Sequence, residues 1–160
     1  MQQFIFAFEG RIRSLADTHS LLSLNQWQGV SLADLVSREL APYANGDNVS
    51  VSGVSNVLTA DAAQAMAMVL HELVTNAAKY GALSTRGGKV SIHWAFIPGE
   101  SAPTKLRFEW LEMGGPPVIE SPELGYGTSV IRTLIPYELD GTVDLQFAAK
   151  GVRCSIEFPS

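Results

Sequence analysis

The chain has 160 residues and a formal net charge of −5, with 46% hydrophobic and 17% charged residues. That balance belongs to a globular domain with a sizeable core and excludes a disordered chain. The acidic balance, without a basic block, argues against nucleic acid as a partner. No apolar run approaches the roughly 20 residues of a membrane helix, so a cytoplasmic location is expected.

Residues 4–24 predict an amphipathic helix. Ile5, Phe8, Ile12, Leu15, His19 and Leu22 form a narrow seam of coiled-coil spacing, too short for a long coiled coil. His19 reads as a polar, register-setting residue within a helix interface. Asn25 and Gly29 break this helix, and Ser31 is placed to cap a second one to about Pro42, with Leu32, Leu35, Val36 and Leu40 inward. Val49, Val51 and residues 54–58 are short strand candidates. Thr59 or Asp61 then starts a long helix reaching Tyr80.

Within that helix Glu72, Asn76 and Lys79 interrupt an otherwise apolar run at spacings that put them on one stripe. Most such stripes are solvated faces. In a helix rich in Ala, Met, Leu and Val, this one is also suited to a cleft. A carboxylate, an amide oxygen and an ammonium there fit a divalent cation with a phosphate.

Residues 81–88 form a loop. Val90, Ile92, Trp94 and Phe96 alternate as a strand with His93 on its opposite face, and residues 98–103 read as a hairpin loop. Leu106, Phe108 and Trp110 make the next apolar strand face, with Glu112 just past the strand's end. Glu112-Met-Gly114-Gly115-Pro reads either as a strand-ending turn or as an acceptor for an exocyclic amine, with glycines letting a planar base approach.

After a Gly/Pro-rich connection, Gly125-Tyr-Gly127-Thr128-Ser129 opens a helix that runs to about Glu138. Its first-turn amides and glycines suit an anion. A Rossmann reading is weak, because no strand leads into the glycines. Residues 142–148 and 151–158 predict a terminal hairpin about Lys150 and Gly151. Cys154 is the only cysteine, which excludes an internal disulfide and a cysteine-based zinc site. It shares a strand face with Val152, Ile156 and Phe158 and reads as a buried, inert thiol. No internal repeat or low-complexity tract is present. The predicted fold class is α+β: a two-layer sandwich of a mixed, largely antiparallel sheet covered by helices on one face, with an N-terminal helix.

The order of these motifs resembles the ATP-binding domain of sensor histidine kinases, in the superfamily of gyrase, heat-shock chaperone and mismatch-repair ATPases (a Bergerat-type fold). Residues 71–83, opening His71-Glu-Leu-Val-Thr-Asn76, look like the N box of the HWE subfamily. Trp110-Leu-Glu112 with Gly114-Gly115-Pro-Pro117 resembles its second signature, and Gly125-Tyr-Gly127-Thr-Ser-Val-Ile131 its last glycine box. Residues 11–22 and Trp27 resemble the segment entering the domain.

The resemblance implies ATP and Mg²⁺ as cofactors. It implies that Asn76 holds the metal, that Glu72 assists phosphoryl transfer, and that Lys79 contacts phosphate. Tyr80, Glu112, Gly114, Gly115, Gly125, Gly127, Thr128 and Ser129 are then nucleotide-binding, with Glu112 where most histidine kinases have a shorter aspartate. Pro116 replaces a glycine of the common box, and the short segment between glycine boxes suggests a reduced lid. His71 and Trp110 are subfamily markers: Trp110 is expected in the core, and His71 is not expected to carry the phosphate.

The sequence has no His-Arg-x-x-Asn acceptor box. Residues 1–26 are therefore expected to be the second helix of a dimerisation hairpin, and 27–160 the catalytic domain, of a fragment whose acceptor histidine lies outside this chain, the alternative being a shortened relative with altered function. The implied partners are that hairpin, a sensor domain, a response-regulator receiver domain, and a second copy through residues 4–24. Two alternatives stand beside this reading: a free-standing serine kinase of the anti-sigma-factor type, and a degenerate nucleotide-binding or dimerisation module.

Overall fold

The computed structural model describes residues 2–24, 29–98, 104–117, 124–148 and 150–159. The expectations for Asn25 and Trp27, for the 99–103 loop and for the lid segment at 118–123 lie outside the described residues. So does the side-chain packing of Ile5 and Phe8.

Helix α1 (Gln2–Leu24) leads to a two-residue strand β1 (Val30–Ser31) and helix α2 (Leu32–Leu40). Strands β2 (Val49–Gly53) and β3 (Val57–Leu58) precede the long helix α3 (Ala60–Lys79). The chain then runs through β4 (Lys89–Ile97), β5 (Lys105–Met113), α4 (Leu124–Leu139), β6 (Thr142–Ala148) and β7 (Gly151–Pro159). Five strands form one sheet in the order β2-β4-β5-β7-β6, and β1 pairs with β3 separately. The β2–β4 pair is parallel, with Val51 beside Ile92, and the other pairs are antiparallel. The fold class is the α+β arrangement expected.

Alternation decides which sheet face is covered. Val90, Ile92 and Trp94 of β4, Leu106, Phe108 and Trp110 of β5, and Cys154, Ile156 and Phe158 of β7 are all buried. They join one core with the apolar sides of α2, α3 and α4. Trp94 stacks on Phe108 with centroids 6.4 Å apart, and its indole N–H donates to the Val54 carbonyl at 2.8 Å. Phe96, next to last in its strand, departs from the expected pattern and is 41% exposed.

The helix boundaries follow local chemistry. Thr59 caps α3, its hydroxyl accepting from the Ala62 amide, and Lys79 closes the last turn with a cation where the helix dipole favours one. Ser31 precedes α2 in extended conformation but makes no side-chain cap, contrary to expectation. It is instead paired with Val57 in the small sheet, a two-residue strand too short to read from periodicity.

Of the seam expected on α1, only Leu22 is buried among its described positions. Ile12 and Leu15 are exposed, and so is His19, which was expected within an interface. Among the described side chains of α1, those buried are Ser14, Thr18 and Leu22, each one turn from the next. Ser14 donates to Glu39 at 2.6 Å, and Thr18 donates to the Ser14 carbonyl at 2.9 Å. Short, satisfied hydroxyls let α1 lie close against α3, where an ion pair described below fixes its rotation.

Candidate active site

Strand β5 carries Trp110 and Glu112 on its buried face, and Glu112 lies within the strand, not past its end as expected. Residues two apart on a strand share a face. The Trp110 indole N–H therefore donates to Glu112 Oε2 at 2.8 Å. Across the site, the backbone amide of Ala82 donates to Glu112 Oε1 at 3.0 Å. The carboxylate is 3% exposed. Burial pushes its pKa up from the ordinary 4.5, an effect offset in part by the hydrogen bonds from Trp110 and Ala82.

The glycines around Glu112 serve close backbone approach. Gly114 has φ of +73°, and a Cβ there would run into the Gly87 carbonyl. A Cβ on Gly115 would stand 2.8 Å from the Ala82 amide nitrogen. These two positions were expected to open a path for a planar base. In this structure they bring the 81–88 loop, with its 3₁₀ turn at Ala82–Ser84, against the end of β5, where the Ala82 amide meets Glu112.

A cavity opens between α3, α4 and the covered sheet face. Leu73, Asn76, Tyr80 and Gly81 line it from α3 and its end, Glu112 from β5, and Thr128 and Ile131 from α4. Leu145, Phe147 and Val152 of the β6–β7 hairpin complete its wall. The polar groups are few and convergent on an apolar surround, the usual form of a small-molecule site. Sequence reasoning missed the apolar lining. The alternation of Val143, Leu145 and Phe147 in β6 was the signal for part of it.

The expected residues do not all converge there. Asn76, Tyr80, Glu112 and Thr128 share the cavity wall. Gly125 and Gly127 fall in the first turn of α4, and the exposed Ser129 follows them. Lys79 is exposed at the end of α3. Glu72 is buried but turned toward α1, where the Arg11 guanidinium pairs with its Oε1.

Beside it, His71 Nδ1 lies 3.5 Å from Glu39 Oε2 and Nε2 3.5 Å from the Thr75 hydroxyl. A Cβ on Gly10 would come within 2.9 Å of that Nε2. His71 thus belongs to the contact between α1, α2 and α3.

Among the described residues no group of three or more His, Cys, Asp or Glu is arranged to hold a metal ion. The polar cavity wall supplies oxygen donors, the Asn76 amide and the Glu112 carboxylate. A divalent cation that draws most of its ligands from a polyphosphate and water fits such a sparse oxygen set. Nor, among the described residues, is any helix long and apolar enough to cross a membrane.

Residues 1–55 match the family model described as HWE histidine kinase. Over 154 residues the chain is 29% identical to a blue-light-activated histidine kinase of Brucella ovis, covering 95% of this chain and 31% of that protein. It is 30% identical over 154 residues to the protein of the same description from Rhizobium johnstonii, covering 96% of this chain and 44% of the relative. The chain therefore spans less than half the length of these relatives. The histidine kinase domain of the Erythrobacter litoralis EL346 blue-light activated histidine kinase superposes with a TM-score of 0.69 at 16% identity, over 96% of this chain and 74% of that one. That last likeness concerns the fold. Motifs, family model and fold agree: the chain is similar to the HWE histidine kinases in sequence and to histidine kinase catalytic domains in fold.

Proposed function

We propose that this chain binds Mg·ATP in the cavity between α3, α4 and the sheet, and is the catalytic part of a two-component sensor kinase. The γ-phosphoryl group would pass to an acceptor histidine outside this chain, and from there to a receiver-domain aspartate. The observation that carries this reading is the meeting of Asn76, Tyr80, Glu112 and Thr128 on one cavity wall.

Each residue has a part. Glu112 receives the exocyclic amine of adenine. Its two oxygens already accept from Trp110 and Ala82, which fixes its orientation, and each keeps lone-pair capacity. The apolar wall of Leu73, Ile131, Leu145, Phe147 and Val152 takes the faces of the base. Tyr80 and Thr128 flank the nucleotide. The first-turn amides of α4 at Gly125, Gly127, Thr128 and Ser129 face the phosphates, and Lys79 adds a point charge.

Asn76 offers its side-chain oxygen to the metal. When bound, magnesium neutralises charge on the transferred group. Glu72, one turn before Asn76, accepts a proton from the incoming imidazole. Gly114 and Gly115 act at one remove, by holding the Ala82 amide on Glu112. Residues 1–26 are the second helix of a dimerisation hairpin, whose exposed Ile12 and Leu15 suit a partner helix, and 27–160 are the catalytic domain.

Incubation with radiolabelled Mg·ATP tests the reading. The expected result is saturable nucleotide binding without acid-labile phosphate on His19, His71 or His93. Absence of binding, or phosphate on any of those three histidines, overturns it.

A further inference from the structure

The side of α3 next to the nucleotide cavity is already occupied. On an ideal helix of 3.6 residues per turn, Glu72 stands only ~40° around the axis from Asn76. It therefore sits at the border between the cavity face and the face covered by α1. Its carboxylate is turned to the second, where it pairs with Arg11 of α1, and both side chains are largely buried.

One residue earlier, His71 meets Glu39 and packs on Gly10, so two successive residues of α3 bind the same stretch of α1 and its neighbour α2. Ser14 ties α1 to Glu39 from the other side. The seat of α1 is a cluster of charge pairs and short hydroxyls at positions 10–18. The longer apolar side chains Ile12 and Leu15 stay exposed and take no part in those pairs.

We propose that α1, through Arg11, restrains Glu72 and that phosphoryl transfer requires α1 to leave this seat. The inference rests on Glu72 being the residue that takes the acceptor's proton. A carboxylate oxygen turned to a guanidinium has that lone pair engaged, and α1 covers the face of α3 to which the carboxylate is turned. An acceptor therefore competes with Arg11 for one carboxylate. Cutting the restraint leaves a buried anion without its cation, a costly arrangement that drives α1 off its seat. Nucleotide binding is untouched, because Arg11 does not line the cavity.

The test is Mg·ATP turnover with free imidazole as the acceptor, in the parent chain and in Arg11→Met, Arg11→Lys, Glu72→Gln and Arg11→Met/Glu72→Gln. ATP affinity is measured alongside by calorimetry. Arg11→Met keeps most of the apolar stem and removes the charge. It is expected to raise turnover about tenfold, a fraction of what a positioned base contributes, with ATP affinity unchanged. Arg11→Lys, which keeps a cation, should stay near the parent rate, and the double variant should lose the gain.

Turnover at or below the parent rate in Arg11→Met, with ATP affinity retained, overturns the restraint. A double variant as fast as Arg11→Met shows instead that Glu72 is not the proton acceptor, which is a failure of the proposed role and not of the restraint. Gly10→Ala supplies a second approach: its methyl presses on His71 and loosens the same seat without touching the ion pair. If Arg11→Met does not fold, a Gly10→Ala chain that binds ATP without faster turnover overturns the proposal.

Discussion

The Trp110 indole N–H donates to Glu112 Oε2 at 2.8 Å from the same buried face of β5, so the two marker residues of the second signature form one unit. Their spacing of two is the strand's own period. The pair makes the indole N–H and the carboxylate each the other's reason for being buried.

Trp110→Phe should therefore destabilise the fold by about 1–3 kcal/mol beyond the loss of packing, the cost of a buried acceptor losing its donor. Burial already raises the Glu112 pKa, and the hydrogen bond from Trp110 opposes that rise. The variant should carry a still higher value, read by carboxyl NMR titration. An unchanged Glu112 titration would contradict the pairing.

The same carboxylate predicts a pH dependence of stability. Its folded pKa lies above 4.5, so below that pH both folded and unfolded forms are protonated and nothing is lost. As pH rises past it, the unfolded chain releases the proton first. The folded state then binds more protons, and stability falls until the folded pKa is passed. Glu112→Gln lacks this slope. Urea melts of parent and variant from about pH 4 to 8 should show the difference moving steadily in the variant's favour.

Gly114→Ala should lower stability by about 1–2 kcal/mol for the left-handed backbone alone, and more for the methyl's collision with the Gly87 carbonyl. The Ala82 amide should also lose its aim at Glu112, weakening nucleotide affinity. Gly46→Ala is the control. That glycine also has positive φ, but a Cβ there meets nothing within 4 Å, so only the backbone cost remains and affinity stays at the parent value.

Asn76→Ala should weaken Mg·ATP binding by roughly tenfold or more, about 1.4 kcal/mol per factor of ten. Glu72→Ala should spare binding and lower transfer. Calorimetry and transfer rates measured together separate the two residues. Equal losses of binding and transfer in Glu72→Ala would refute its assignment to the proton.

Cys154 is fully buried in β7, and burial, with Asp144 nearby, pushes its thiol pKa up to about 12. It should resist thiol reagents at neutral pH in the folded chain and react at once in urea. Fast labelling of the native protein would contradict the covered sheet face.

Much of this was legible because periodicity is a direct physical signal. The alternating faces of β4, β5 and β7, the start of α3 at Thr59 and the four inward residues of α2 follow from it. What escaped has identifiable causes. The strand β1 is two residues long and exists only because β3 lies beside it. On α1 the apolar seam was the strongest pattern, yet Ser14 and Thr18 face the domain, because size and ion pairing with α3 chose the packed side. The stripe of Glu72, Asn76 and Lys79 was read correctly as a stripe. A helix wheel does not say which neighbour claims each side chain, and Arg11, distant in sequence, claims Glu72.

The strand order carries a consequence for synthesis on the ribosome. Among the described residues strand β2 pairs with β4 alone, and α1 and α2 rest on α3, so the first third of the chain emerges before the segments it needs. Strands β4, β5, β7 and β6 can zip together as neighbours through antiparallel pairs. The N-terminal third, made first, must wait for residues up to 94 before its own edge strand has a template. Its exposed apolar side chains face the cell unpartnered during that interval, which is where a folding helper would act.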